Sequence, residues 1–82
     1  MSIDYRTKDE TVWGAEFGSN LQSVIRSKNV TQSQLAKKLG ITEAMLSRYI
    51  HGTAIPSTYK TCQIANALDC DICDLIKNSY QD

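Results

Sequence analysis

The stretch Thr31–Gly52, TQSQLAKKLGITEAMLSRYIHG, decides the fold. Leu35, Ala36 and Leu39 recur at helical spacing. Thr31 stands before them as an N-cap, with Gln34 three residues on at the spacing of a capping box. Gly40 stops that helix, because glycine tolerates the left-handed geometry in which helices end. Thr42 then caps a second helix, with Glu43 well placed at its positive end. Leu46, Tyr49 and Ile50 give this helix its inner face, and Gly52 closes it. Two helices of about eight residues joined this tightly read as a helix-turn-helix, the turn holding them at roughly 90–120°. An ordinary α-hairpin in a small bundle is the plainer reading of helix, glycine, helix. Gln32, Ala36, Gly40, Leu46 and the segment Ser47-Arg48-Tyr49 together favour the helix-turn-helix. Ala36 is small where the partner helix must cross closely.

Outward from this pair the pattern stays helical, with no repeat and no period-two run that would make a strand. Leu21, Val24 and Ile25 predict a first helix near 15–28, and Trp13 and Phe17 extend its stripe backwards. Gly14 and Gly18 each weaken a helix by about 1 kcal/mol relative to alanine. They leave its start open, with Trp13 stapling an arm onto the bundle as one reading. The pair itself is expected at 32–39 and 43–51. TAIPS, residues 53–57, is a loop by its proline, and Ser57 or Thr58 opens a fourth helix near 57–68. Cys62, Ile64, Ala65 and Leu68 suit its buried side. Asp71, with Asp74 at capping-box spacing, opens a fifth helix near 71–77. The expectation is an all-α, compact five-helix bundle, with an arm over 1–14, the domain over 15–77 and a tail over 78–82.

At 82 residues the chain has room for one small core. No apolar run approaches the roughly 18 residues that span a bilayer. The opening MSIDYRTKDE lacks the apolar region of a signal peptide, and three cysteines without framework spacing suit a reducing compartment. The expectation is a cytoplasmic protein. Net charge is zero, but its distribution is uneven. Arg26, Lys28, Lys37, Lys38, Arg48 and Lys60 share the span from 20 to 64 with one acid, Glu43, and the other acids sit towards the two ends. A polyanion meets the local field rather than the total. Lysines that merely solvate helices would give the same pattern.

The segments TQSQLAKKLGIT, MLSRYIHG, IPS and IANALDCDICDLI together resemble the lambda-repressor-like, Cro/Xre-type family of DNA-binding domains over residues 20–76. The resemblance implies a sequence-specific transcriptional regulator, a repressor, with the helix over 43–51 in the major groove of double-stranded DNA. It also implies a homodimer on a palindromic operator, since dimers of such readers bind half-sites about one helical turn apart. By position, Gln32 matches a glutamine that contacts phosphate and braces the reading helix. Thr42, Glu43, Ala44, Ser47 and Arg48 fall where the family faces the groove. Arg48 can fork to guanine O6 and N7, neutralise a phosphate, or simply be solvated. Glu43 can accept from cytosine N4, repel where it does not fit, or only complement the helix dipole. Ala44 offers apolar contact, as to a thymine methyl, while Thr42 and Ser47 suit phosphates. Lys28, Ser33, Lys37, His51 and Thr53 are further candidates for phosphate contact, with Lys38 and Lys60 adding salt-sensitive attraction. Met45 packs beside the turn or lies on the DNA-side rim. The C-terminal segment with Tyr80 is the expected dimer contact, with Trp13 and Phe17 as the second choice. A protein-interaction module that keeps the fold without specific DNA binding is the alternative.

Two positions depart from the family pattern. Many members place an arginine and a glutamate as a buried pair where this chain has Ile25 and Ile50. Replacing a buried ion pair by packed apolar residues is often neutral or stabilising. Asp69 stands where the family often has glycine. Other chemistry finds little support. The C-x-x-C of Cys70 and Cys73 is one pair, where structural zinc takes four ligands, and neither Cys62 nor His51 completes a second. Redox use of that spacing would need a βαβ setting. His51, the sole histidine, sits where a cation would suit a helix end and is as compatible with capping as with phosphate contact. No catalytic residues, no metal, no cofactor, no small-molecule substrate and no membrane association are expected, and the chain does not read as an enzyme.

Overall fold

The computed structural model of the chain describes residues 10–76, with side chains from Val12 onward. Five helices follow in order: α1 Glu10–Ser27, α2 Gln32–Leu39, α3 Glu43–Ile50, α4 Thr58–Leu68 and α5 Ile72–Ile76. No strand occurs among the described residues. α1 packs on α3 and α5, α2 packs on α3 and α4, and α4 meets α5. The expected tail over 78–82 and Tyr80 lie outside the described residues.

Four helices end alike. In each, a residue one or two past the helix donates its N–H to a carbonyl three residues back, and the next residue reaches five back. For α2 these bonds are Gly40 N–H to Lys37 O at 3.2 Å and Ile41 N–H to Ala36 O at 3.0 Å. For α3 they are Gly52 N–H to Tyr49 O at 3.2 Å and Thr53 N–H to Arg48 O at 2.9 Å. This double bond pattern requires a left-handed residue at the pivot. Gly40 and Gly52 supply it at φ 70° and 77°, and Asn29 and Asp69 do so after α1 and α4 at φ 58° and 54°. Asp69 thus keeps the turn that glycine makes elsewhere, at the modest cost an Asx residue incurs there. At the other ends, Thr31 and Gln34 form both halves of the capping box at 3.0 and 2.9 Å. Thr42 Oγ1 accepts from Met45 N–H at 3.0 Å, and Ser57 Oγ from Lys60 N–H at 3.1 Å. From the end of α1 to the start of α5 each helix boundary is closed within one or two residues, so the connections there stay short.

α1 begins at Glu10, well before the expected residue 15. Gly14 and Gly18 are helical because the space they leave is occupied. A Cβ on Gly18 would overlap the Ile50 carbonyl oxygen and stand 2.8 Å from the Tyr49 oxygen. A Cβ on Gly14 would stand 3.0 Å from the Gly52 oxygen. The backbone of α1 therefore crosses the end of α3 almost directly, and the propensity lost at two glycines is exchanged for that approach. Trp13 belongs to this helix rather than to a separate arm, and its ring stacks on Phe17 with centroids 5.5 Å apart.

Phe17, Leu21, Leu35, Leu46, Ile64 and Leu75 are fully buried, drawing all five helices onto one centre. Ile25 and Ile50 belong to the same cluster, so both halves of the expected apolar replacement are inside. Cys62 is a correction: it is exposed, and Thr61 takes the buried place. The inner face of α4 runs 61, 64, 65, 68, and Thr61 can enter it because its hydroxyl donates to Ser57 O at 2.8 Å. Buried Asn20 donates from Nδ2 to Leu75 O at 2.9 Å, which ties α5 to α1. At the start of α5, Asp74 Oδ2 accepts from Asp71 N–H at 3.3 Å, the Asp74 half of the expected capping box, while Asp74 N–H goes to the Asp71 backbone carbonyl rather than to its side chain.

Candidate nucleic-acid interface

On α3, Leu46, Tyr49 and Ile50 are buried, while Glu43, Ala44 and Arg48 are exposed and Ser47 is half-buried. The exposed set recurs at i, i+1, i+4 and i+5, which puts it on one side of the helix, with exposed His51 following at its end. Met45 is half-buried and packs against the core. Thr42 sits at the head of α3 with its oxygen committed to Met45 N–H, so its hydroxyl proton remains for another acceptor. Gln32 and Ser33 are exposed in the first turn of α2.

The far end of α3 is held by its own carbonyls. Arg48 O accepts from Thr53 N–H at 2.9 Å, Ala54 N–H at 3.3 Å and Thr53 Oγ1 at 3.3 Å. The Thr53 hydroxyl is therefore engaged with the backbone of Arg48, which starts the following loop in one direction. His51 caps the helix, its Nδ1 lying 2.8 Å from Ser47 O and 3.2 Å from Ser47 Oγ.

The predicted basic residues do not all gather here. Lys28 Nζ donates to Asp69 O at 3.0 Å, and Lys38 Nζ donates to Ala67 O at 3.1 Å. Both ammonium groups lie at the C-terminal end of α4, where helix carbonyls favour a cation. Lys37 is exposed in the last turn of α2, and Lys60 is half-buried in the first turn of α4. Tyr59, not singled out from the sequence, is 73% exposed, and among the described residues no other aromatic side chain is so open to solvent. Its place two residues before the inner stripe of α4 was legible, but an exposed tyrosine carries no signal of its own. Phe17 is fully buried, so of the second dimer surface only half-buried Trp13 is available.

One thiol has perturbed chemistry. Burial pushes the Cys70 pKa up, Asp74 adds to this, Asp71 and Asp69 add less, and Lys28 opposes them. Among the described residues no three His, Cys, Asp or Glu side chains come together to hold a metal ion. Nor is any helix among them long and apolar enough to cross a membrane.

A compact all-helical bundle built around a braced helix pair, with one exposed polar side to its second member, defines the helix-turn-helix class. The chain belongs to the helix-turn-helix family HTH_3, whose model matches residues 21–75. It is a DNA-binding protein of transcription regulation. No curated protein matches it in sequence. Among solved structures it is similar to the clp gene regulator ClgR from C. glutamicum, with 22% identity and a TM-score of 0.77 over 82% of this chain and 87% of that one. It is also similar to the restriction-modification controller protein C.AhdI from Aeromonas hydrophila, with 24% identity and a TM-score of 0.72 over 76% and 94% of the two chains. A third neighbour is an HTH_3 family transcriptional regulator from Vibrio cholerae, with 18% identity and a TM-score of 0.78, covering 85% of this chain and 39% of that one. At these identities the neighbours establish the fold.

Proposed function

We propose that the chain is a sequence-specific transcriptional repressor that lays α3 in the major groove of a palindromic operator as a homodimer. The observation that carries this reading is the division of α3. Its inner side chains fix the angle to α2, while Glu43, Ala44 and Arg48 contribute nothing to the core and stand free to meet base edges. Arg48 is the principal reader, forking to guanine O6 and N7, and Ala44 contacts an apolar feature such as a thymine methyl. Glu43 accepts from cytosine N4 and excludes other bases. Thr42 and Gln32 donate to phosphates on either side of the groove, with Ser33 and Lys37 as the further backbone contacts. Lys28, Thr53 and His51 are left out of this set, because the Lys28 ammonium is engaged on α4, both Thr53 donors go to Arg48 O, and His51 Nδ1 is turned to Ser47 O.

One reader of this size has limited contact area, which favours two copies on half-sites about 34 Å apart. Repression is the inferred sign because occupancy of a promoter needs no activating surface. The test is selection of bound sites from a random duplex pool near physiological salt, with Arg48→Ala in parallel. A two-fold-related site that weakens by about 1–3 kcal/mol in the mutant supports the reading. Placing that site over a promoter in a reporter then reads the sign. Zero net charge and the acid at the head of α3 favour the other reading, a protein-interaction module. Weak binding that enriches no site and vanishes as salt rises would establish it.

A further inference from the structure

The contacts between His51 and Ser47 determine what Ser47 can offer. A serine hydroxyl is both donor and acceptor, and on DNA it can serve either kind of base edge. Here the imbalance comes from the imidazole. His51 Nδ1 lies 2.8 Å from the Ser47 carbonyl, which already receives the His51 backbone N–H at 2.9 Å. A carbonyl oxygen only accepts, so Nδ1 carries the proton. The same Nδ1–H lies 3.2 Å from Ser47 Oγ and presents it with a donor. A hydroxyl oxygen facing a donor on one side turns its own proton to another. Among the described residues Ser47 Oγ has no hydrogen-bond partner other than His51, and Ser47 lies on the strip of α3 that carries exposed Glu43 and Ala44, so its proton is left for a partner outside the chain.

We propose that His51 is a positioning residue that fixes Ser47 as a hydrogen-bond donor toward DNA. Ser47 then takes an acceptor, either a phosphate oxygen or a base-edge acceptor such as purine N7, guanine O6 or thymine O4, and disfavours the cytosine amino group. This rests on α3 entering the groove. The sequence holds the spacing, i to i+4 across one helical turn, but not the tautomer, which the carbonyl dictates.

The test uses the full chain and its own selected site. Ser47→Ala and His51→Ala should each weaken binding about 3- to 10-fold, the worth of one hydrogen bond. The double variant should lose no more than either single one. His51→Asn, whose side-chain amide nitrogen stands where Nδ1 stands, should retain most of the affinity, and His51→Gln should not. If Ser47 faces a base, its loss relaxes preference at one base pair where cytosine is disfavoured. If it faces phosphate, the loss is uniform across sequences. Imidazole nitrogen shifts of the free protein should show the proton on Nδ1. An Nε2–H tautomer overturns the proposal, as do multiplicative losses in the double variant or an asparagine no better than alanine. Failure of the wild type to select any site overturns the groove reading and this proposal with it. A selected site with independent losses overturns the pairing alone.

Discussion

Gly18 and the carbonyl of Ile50 are in backbone-to-backbone contact, with no side chain between α1 and the last turn of α3. Alanine at 18 would gain about 1 kcal/mol of helix propensity. Its methyl would meet backbone oxygens that cannot rotate away, and overpacking of this kind costs about 1–3 kcal/mol. The clash wins, so Gly18→Ala lowers the urea midpoint. Gly14→Ala is the control: its methyl meets one oxygen at 3.0 Å and a flexible Ile55 side chain at 3.5 Å, so the two effects nearly cancel. Urea melts of both variants check the contrast, and equal losses would remove the argument.

Ile25 and Ile50 are both buried, where related domains often keep an ion pair. Ile50→Glu places an unpaired carboxylate in the core and is expected to lose about 3–5 kcal/mol. Ile25→Arg together with Ile50→Glu should recover part of that loss. A double-mutant cycle in denaturant reads the coupling directly, and a sum equal to its parts would show that the two sites do not communicate.

Lys28 holds the end of α4 through Asp69 O. Lys28→Gln is expected to lower stability by a few tenths of a kcal/mol up to about 1, the range for a cation at a helix C-terminus. The salt slope of DNA binding should stay unchanged, since a lysine that neutralises one phosphate adds about 0.9 to that slope. A shallower slope in the variant, by about that amount, places Lys28 on the DNA instead.

Cys70 carries the one pH prediction. Its pKa is raised in the fold, first by burial and then by Asp74, so the unfolded chain loses that proton at a lower pH than the folded one. The contribution is fully present below the ordinary thiol range and is lost as pH rises through the folded value. Asp74→Asn keeps an acceptor for Asp71 N–H and removes a charge, so Cys70 should alkylate faster at mildly alkaline pH. Mass spectrometry of the labelled peptide checks the site, and an unchanged rate would show that burial alone protects the thiol.

The helix pair was legible because its signals are local: Thr31 with Gln34, Gly40, Thr42 and Gly52 each act within a few residues of themselves. The start of α1 was not, because the sequence shows what Gly14 and Gly18 cost a helix but not the Ile50 and Gly52 carbonyls they admit. Cys62 was misplaced for a related reason. Hydropathy prefers cysteine to threonine inside, whereas a hydroxyl that bonds the preceding turn makes Thr61 equally acceptable there. On the candidate interface, the family resemblance anticipated the exposure of Glu43, Ala44 and Arg48. Charge alone did not separate lysines facing solvent from Lys28 and Lys38, which are committed to α4.

The outward residues of α3 bear no weight in the core, and the core residues of α3 do not reach its outer surface. Substitutions at exposed positions of this kind usually change stability by less than about 0.5 kcal/mol. A lineage carrying this domain can therefore wander from one target sequence to another through intermediates that all remain folded. What restrains that wandering lies at the C-terminal end of the helix, where Gly18 meets Ile50 and His51 meets Ser47: the alphabet is free to vary, but the hand that holds the page is not.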